Sequence, residues 1–237
     1  MKLRAIGTGA RFCRHPLIPT SWLIQTHGSN IVIGCPPQLP ARLEALGVAL
    51  ESVDMIVPLN SSLSQIGGLD EFGHFFKDRA EKPYLACPGD LLGRVLGRIE
   101  YPHSFLTKAV MKVHVKEEHM SDTLTFVDNY SGGYGFRLED AQVFVAGDAQ
   151  VNEDWLFKEM GCELILHPFH EELLSLPMYL QNKIWLYGYS GALDGNDPLP
   201  MLFIPQGATI YDSDRRDKLM EKERFIRENS KRLLGAR

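Results

Sequence analysis

The stretch Asp54 to Leu69, DMIVPLNSSLSQIGGL, decides how the chain is read. Met55-Ile56-Val57 is a short apolar run of the kind that forms a buried strand. Pro58 ends it, and Asn60 to Gln65 follow as a polar loop of amides and hydroxyls. Ile66-Gly67-Gly68-Leu69 then opens a helix. The unit is a strand, a polar loop and a helix, and the loop holds neither His nor Asp.

The flanking sequence repeats this rhythm. Leu3 to Ile6, Trp22 to Gln25 and Ile31 to Ile33 read as strands, the last two joined by a turn at His27-Gly28-Ser29-Asn30. A helix follows with Pro40 near its start, Leu43, Leu46 and Val48 inside it and Gly47 near its end. Tyr84 to Ala86 is a strand and Asp90 to Ile99 a helix. Four strand-like runs fall between Met111 and Ala146. Helix Glu153 to Met160, strand Glu163 to Leu166, helix Glu171 to Leu174 and strands Ile184 to Tyr187 and Met201 to Ile204 complete the body. Two strand-rich halves, each with its own helices, predict two sheets packed face to face with helices outside.

Ser213 to Arg237 differ in composition. They carry nine Lys or Arg against five Asp or Glu, a net of +4, while the whole chain carries −5. Leu219, Ile226 and Leu233 recur every seven residues, with Phe225 and Leu234 beside them, which predicts an amphipathic helix after a body spanning 1–212. Docking on its own domain is the first reading of that helix. A contact with another protein or subunit, and one with nucleic acid, are the others.

The bulk numbers exclude several classes. With 237 residues, 44% of them hydrophobic, the chain buries a sizeable core. A pI near 5.9 argues against a globally basic, nucleic-acid-binding surface. The N-terminus lacks the apolar core of a secretory signal, and no run of about 18 apolar residues predicts a membrane span. Cys13, Cys35, Cys87 and Cys162 are widely spaced without a CxxC pair, and read as reduced thiols of a cytoplasmic protein.

Taken in order, six motifs carry a resemblance. Ile6-Gly7-Thr8-Gly9 follows the first strand. Ile31-Val32-Ile33-Gly34-Cys35 resembles an ILIDCG strand, and Ile66-Gly67-Gly68-Leu69 an IGGL that closes a metal loop. Ser131 to Glu139, SGGYGFRLE, resembles PSYGYRIE. Ala146 to Ala149 is similar to SGDT, and Lys183 to Tyr189 to KxWLYHY. Together they resemble the ribonuclease Z-like and phosphodiesterase-like branch of the metallo-β-lactamase superfamily over residues 1 to 211. The resemblance implies an α/β fold, a four-layer αββα sandwich. In the family an H-x-H-x-D-H loop, a His before the SYG turn, the Asp of GDT and a final His hold two metals that lower the pKa of a bridging water.

Carried over residue by residue, those ligand positions fall on Asn60, Ser62, Ser64, Gln65, Asn129, Asp148 and Gly188. Asp148 alone keeps a ligand, and one carboxylate cannot hold a catalytic zinc or iron pair. The expectation is a degenerate site with no metal and no cofactor, rebuilt as a network of amides and hydroxyls around Asp148.

Other candidate residues each have a plainer role beside a functional one. His167 and His170 form a displaced metal pair with Glu171 or Glu172, or else cap and pack a strand-to-helix junction. His114 and His119 lie five apart and face opposite ways on a regular strand. His15, His27, His74 and His103 are isolated and read as surface residues. Ser62 or Ser64 with Asp148, or Cys35 with a neighbouring His, would be a nucleophile, yet no G-x-S-x-G elbow or base is placed by spacing. Cys35 reads as a buried strand-end thiol. The glycines of Asn129 to Gly135 serve a tight turn or a phosphate contact.

These observations point to a non-catalytic protein acting through association with a protein partner or itself. The alternatives are a nucleotide- or nucleic-acid-binding module using Arg137, Arg215 and Arg216, and a residual phosphodiesterase-type hydrolase with a displaced metal or none.

Overall fold

The central strands of this chain are apolar on both faces because each sheet is covered twice. In β2 (Ser21–Gln25), Trp22 and Ile24 pack between the two sheets, while Leu23 packs outward under helices. In β12 (Ile184–Tyr187), Trp185 and Tyr187 face inward, and Ile184 and Leu186 face the outer helices. A strand buried on both faces reads as a continuous hydrophobic run, as these do.

The computed structural model describes residues 1–10, 13, 17–26, 28–116, 121–129, 131–139, 141–188, 202–204 and 206–212. The first half contributes β1 (Lys2–Gly7), β2, β3 (Asn30–Ile33), β4 (Val53–Val57), β5 (Tyr84–Cys87) and β6 (Leu106–Ala109). The second contributes β7 (Lys112–Lys116), β8 (Ser121–Asp128), β9 (Tyr134–Leu138), β10 (Val143–Val145), β11 (Leu164–Pro168), β12 and β13 (Leu202–Phe203), and the chain returns to the first sheet as β14 (Thr209–Asp212). The sheet orders are β14-β1-β2-β3-β4-β5-β6 and β13-β12-β11-β10-β9-β8-β7.

Helices α1 (Leu39–Ala45), α2 (Leu63–Ile66), α3 (Leu69–Phe76) and α4 (Gly89–Leu96) belong to the first half, and α1, α3 and α4 cover its sheet. α5 (Glu153–Lys158), a 3-10 turn at Glu171–Ser175 and α6 (Met178–Gln181) cover the second. The predicted αββα sandwich is the observed architecture. Local chemistry explains the helices. In α3, Leu69, Phe72 and Phe76 recur on one buried stripe. In α5 the side chain of Asn152 accepts from Trp155 N at 3.0 Å, and Glu153 and Asp154 occupy the first turn.

Several boundaries differ from the sequence reading. Val48 lies beyond α1, which Gly47 stops at φ +76°. α4 ends at Leu96, before Ile99. Glu171–Ser175 is a 3-10 turn, because Pro177 limits the room for an α-helix. The polar loop contains α2, and β6, α6 and β14 are elements the sequence did not signal. His15, His27, His119, Arg215, Arg216 and the predicted helix 213–237 lie outside the described residues. Among the described residues no helix is long and apolar enough to cross a membrane.

Candidate functional site

The loop after β4, the turn between β8 and β9 and the loop after β10 meet at one end of the sandwich. Their backbones are tied first: Tyr134 N donates to Leu59 O at 2.8 Å. Gly188 N, at the end of β12, donates to Thr8 O, beyond β1, at 2.7 Å. Halves that are far apart in sequence are thus pinned together around the seven positions inferred from the resemblance.

Four of those positions form a continuous polar chain. Asn60 Nδ2 donates to Asp148 Oδ2 at 2.8 Å, across 88 residues of sequence. Asn60 Oδ1 accepts from Ser62 N at 2.8 Å and from Ser62 Oγ at 2.5 Å. Ser62 Oγ and Ser64 Oγ lie 2.8 Å apart. Asn129 is near but works locally: its Oδ1 accepts from Ser131 N at 3.0 Å and Gly133 N at 3.2 Å, closing the tight turn.

Two positions take other roles. Gln65 turns away and is buried; its Nε2 donates to Thr20 O at 3.1 Å and its Oε1 accepts from Leu59 N at 3.3 Å. Gly188 has φ +75°, and a Cβ there would sit 3.1 Å from Pro168 Cβ. Behind Asp148, buried Tyr187 donates its hydroxyl to Gly147 O at 2.6 Å and packs edge-on against Trp22, with ring centroids 5.3 Å apart. Gly147 has φ +66°, and a Cβ would meet Tyr134 O at 2.3 Å, so this approach requires glycine.

The donor set here is unlike one that holds the metal pair the fold family implies. Asn60 presents an N–H to Asp148, and its oxygen already accepts from Ser62. One carboxylate with amides and hydroxyls is a poor match for zinc or iron, which require imidazole, thiolate or several carboxylates. Among the described residues no group of three or more His, Cys, Asp and Glu could hold a metal ion. The residues present do not fit the group.

His167 and His170 do come together, with ring centroids 5.9 Å apart. His167 Nδ1 lies 2.7 Å from Pro168 O, and His170 Nε2 lies 3.1 Å from Ala149 O. Burial pushes the His167 imidazole down to about 4, with the Pro168 carbonyl opposing and His170 adding to the shift. Glu171 and Glu172 are exposed at the start of the next turn, so the arrangement is one of packing. Cys35 is fully buried, and burial raises its thiol, with Glu71 and Asp70 adding to the shift.

Arg137 corrects an expectation. It projects to the outer face of the second sheet and forks onto buried Glu159, with Nε–Oε2 at 3.0 Å and Nη2–Oε1 at 2.6 Å. That pairing commits its charge away from the cleft. Sequence reasoning missed two residues that brace the site. Tyr134 donates its hydroxyl to Asp90 at 2.5 Å, and Arg98 Nη1 donates to Ser61 O at 2.6 Å. Burial and the Asp90 carboxylate push the Tyr134 phenol up to about 12. Neither pair carries a local sequence signal, since the partners lie 44 and 37 residues apart.

No family profile matches the chain. Individual proteins do. The chain is 34% identical to the Anti-Pycsar protein Apyc1 of Bacillus phage vB_BsuM-Goe3, over 79% of this chain and 88% of that protein. It is 33% identical to the protein of the same name in Bacillus phage vB_BveM-Goe7, with the same coverage. The chain belongs to the Apyc1 family. An Apyc1 of Paenibacillus harenae matches at 24% identity over 82% of this chain and 92% of its own length.

Solved structures agree on the fold. The metallo-β-lactamase-fold protein YhfI of Bacillus subtilis superposes with a TM-score of 0.71 at 12% identity, covering 89% of this chain and 99% of that one. A diphosphatase of the PhnP family gives a TM-score of 0.66 at 13% identity, covering 90% and 98%. Human tRNase Z, short form, gives 0.61 at 11%, covering 89% and 99%. This Apyc1-family chain therefore has a metallo-β-lactamase fold whose inferred ligand positions are largely amides and hydroxyls.

Proposed function

We propose that the chain is a non-catalytic member of the Apyc1 family, a rigid metallo-β-lactamase-fold platform that acts through association with a protein partner or a second copy. The observation that carries the proposal is the hydrogen bond from Asn60 to Asp148. It joins a neutral amide to the one remaining carboxylate, where the family's resemblance places a metal loop and a metal-binding Asp. The relatives are named as anti-Pycsar proteins. On this reading, any part the chain plays against Pycsar is played by binding, without metal-activated water or a cofactor.

The alternative of a nucleotide- or nucleic-acid-binding module loses Arg137 to its pairing with Glu159. The test is a phosphodiester and nucleotide substrate screen on pure protein, with and without added zinc, manganese or chelator, and with metal content measured on the same sample. The expected result is no turnover above the protein-free rate and far less than one metal per chain. Metal-dependent turnover that disappears in Asp148→Ala overturns the proposal. Nucleotide binding that weakens steeply with salt, without turnover, moves the assignment to the alternative.

A further inference from the structure

The outer face of the second sheet carries an apolar patch that no described element covers. Met178 is 62% exposed, Tyr179 49%, Phe157 41% and Leu174 39%. They form one surface. The Phe157 and Tyr179 rings stand 6.4 Å apart, linking α5 to α6. Gln181 Nε2 donates to Leu174 O at 3.0 Å, linking α6 to the 3-10 turn before it. Together the four expose on the order of 400 Å², within the range of the largest apolar patch on a typical single domain, which is often functional.

The same elements are acidic. Glu153, Asp154, Glu171 and Glu172 are exposed on them, against one exposed cation, Lys158. The segment 213–237 is the complement: its net charge is +4, with Leu219, Ile226 and Leu233 at intervals of seven. It also starts from the right flank. β14 forms one edge of the first sheet and β13 an edge of the second, and β14 begins at Thr209, shortly after β13 ends at Phe203. α5, the 3-10 turn and α6 are the crossovers between β10, β11 and β12, the strands next to β13. Twenty-five residues span roughly 37 Å even if wholly helical, enough to pass from that flank across these short elements.

We propose that segment 213–237 of the same chain covers the Phe157–Leu174–Met178–Tyr179 patch, its apolar heptad positions on the patch and its cations toward Glu153, Asp154, Glu171 and Glu172. This proposal is independent of the metal reading.

The test uses the full chain. In Leu219→Asp/Ile226→Asp/Leu233→Asp, amide exchange in 153–158 and 171–181 is expected to rise about tenfold, while β2 to β4 keep their protection and so report an intact fold. Unchanged exchange in 153–158 and 171–181 overturns the proposal. In a second full-length variant, Met178→Cys/Ile226→Cys, a short bis-maleimide is expected to link the two positions within one chain, as read by peptide mapping of an equimolar mixture of light and 15N-labelled protein. Mixed-isotope linked peptides assign the patch to a second copy and overturn the intrachain arrangement. Absence of the link with both thiols labelled also overturns it.

Discussion

Asn60→Ala, Asp148→Ala and the double variant form a cycle that isolates the bond joining the two halves. Asn60 makes three hydrogen bonds: one from Nδ2 to Asp148 and two accepted at Oδ1 from Ser62. At about 0.5–1.5 kcal/mol per net bond, losing all three costs roughly 1.5–4.5 kcal/mol. Asp148 is exposed, so solvent screens its charge, and removing it costs only about 0.5–1 kcal/mol. The coupling should then be about 0.5–1 kcal/mol, because only the shared bond is counted twice. Urea denaturation of the full chain reads each value, and equal m-values confirm that the denatured states are comparable. Thermal melts should show the coupling as a shift of about 1–4 °C for a domain of this size. A coupling of zero, with Asp148→Ala as stable as the parent, would refute the idea that the amide has taken over the tie between the halves. A stability that falls on adding chelator, and does so only while Asp148 is present, would show that a metal makes the tie.

Tyr187→Phe keeps the packing on Trp22 but strips Gly147 O of its buried donor, and should lower stability by about 1–2 kcal/mol in urea melts. The depressed His167 imidazole makes folding sensitive to acid: the native state binds fewer protons than the unfolded chain between about pH 4 and 6.5, so stability should hold above pH 6.5 and fall by up to about 3 kcal/mol as pH drops to 4. His167→Gln should flatten that part of the pH profile. All four thiols are raised by burial, but Cys35, Cys87 and Cys162 are buried and Cys13 is half-buried, so at pH 8 Cys13 should react first with a disulfide reagent, and all four should react in urea.

What could be read from the sequence depended on burial. β2, β3 and β12 were legible because both faces are covered and every residue but one or two is apolar. β6 was not, because Leu106 to Ala109 are all exposed and show no alternation. α2 and α6 are four residues long, too short for a 3.6-residue period to register. At the site, residue types were legible and pairings were not. Asn60 and Asp148 were identified as positions, but that one donates to the other depends on a turn held by Tyr134 N and Leu59 O. Arg137 illustrates the opposite case. Its charge suggested a ligand, yet strand alternation beside inward-facing Phe136 sends it outward to Glu159.

The free energy of this fold lies away from the site. Three apolar layers, one between the sheets and one under each set of helices, hold the sandwich together without any of the seven inferred positions. The seven positions can therefore carry amides and hydroxyls without unfolding the chain, provided that the polar groups at the strand ends have partners. They do: Asn60 with Asp148, Gln65 with Thr20 and Leu59, and Asn129 with its own turn. The backbone has adapted as well. At Gly188 a φ of +75° and a Cβ position 3.1 Å from Pro168 oppose any larger side chain. A histidine there would impose strain on the amide bonded to Thr8, and that bond joins the two halves. On the proposed reading, replacing the other six positions with metal ligands would leave the set incomplete at Gly188, so backbone as well as side chains oppose a metal site there.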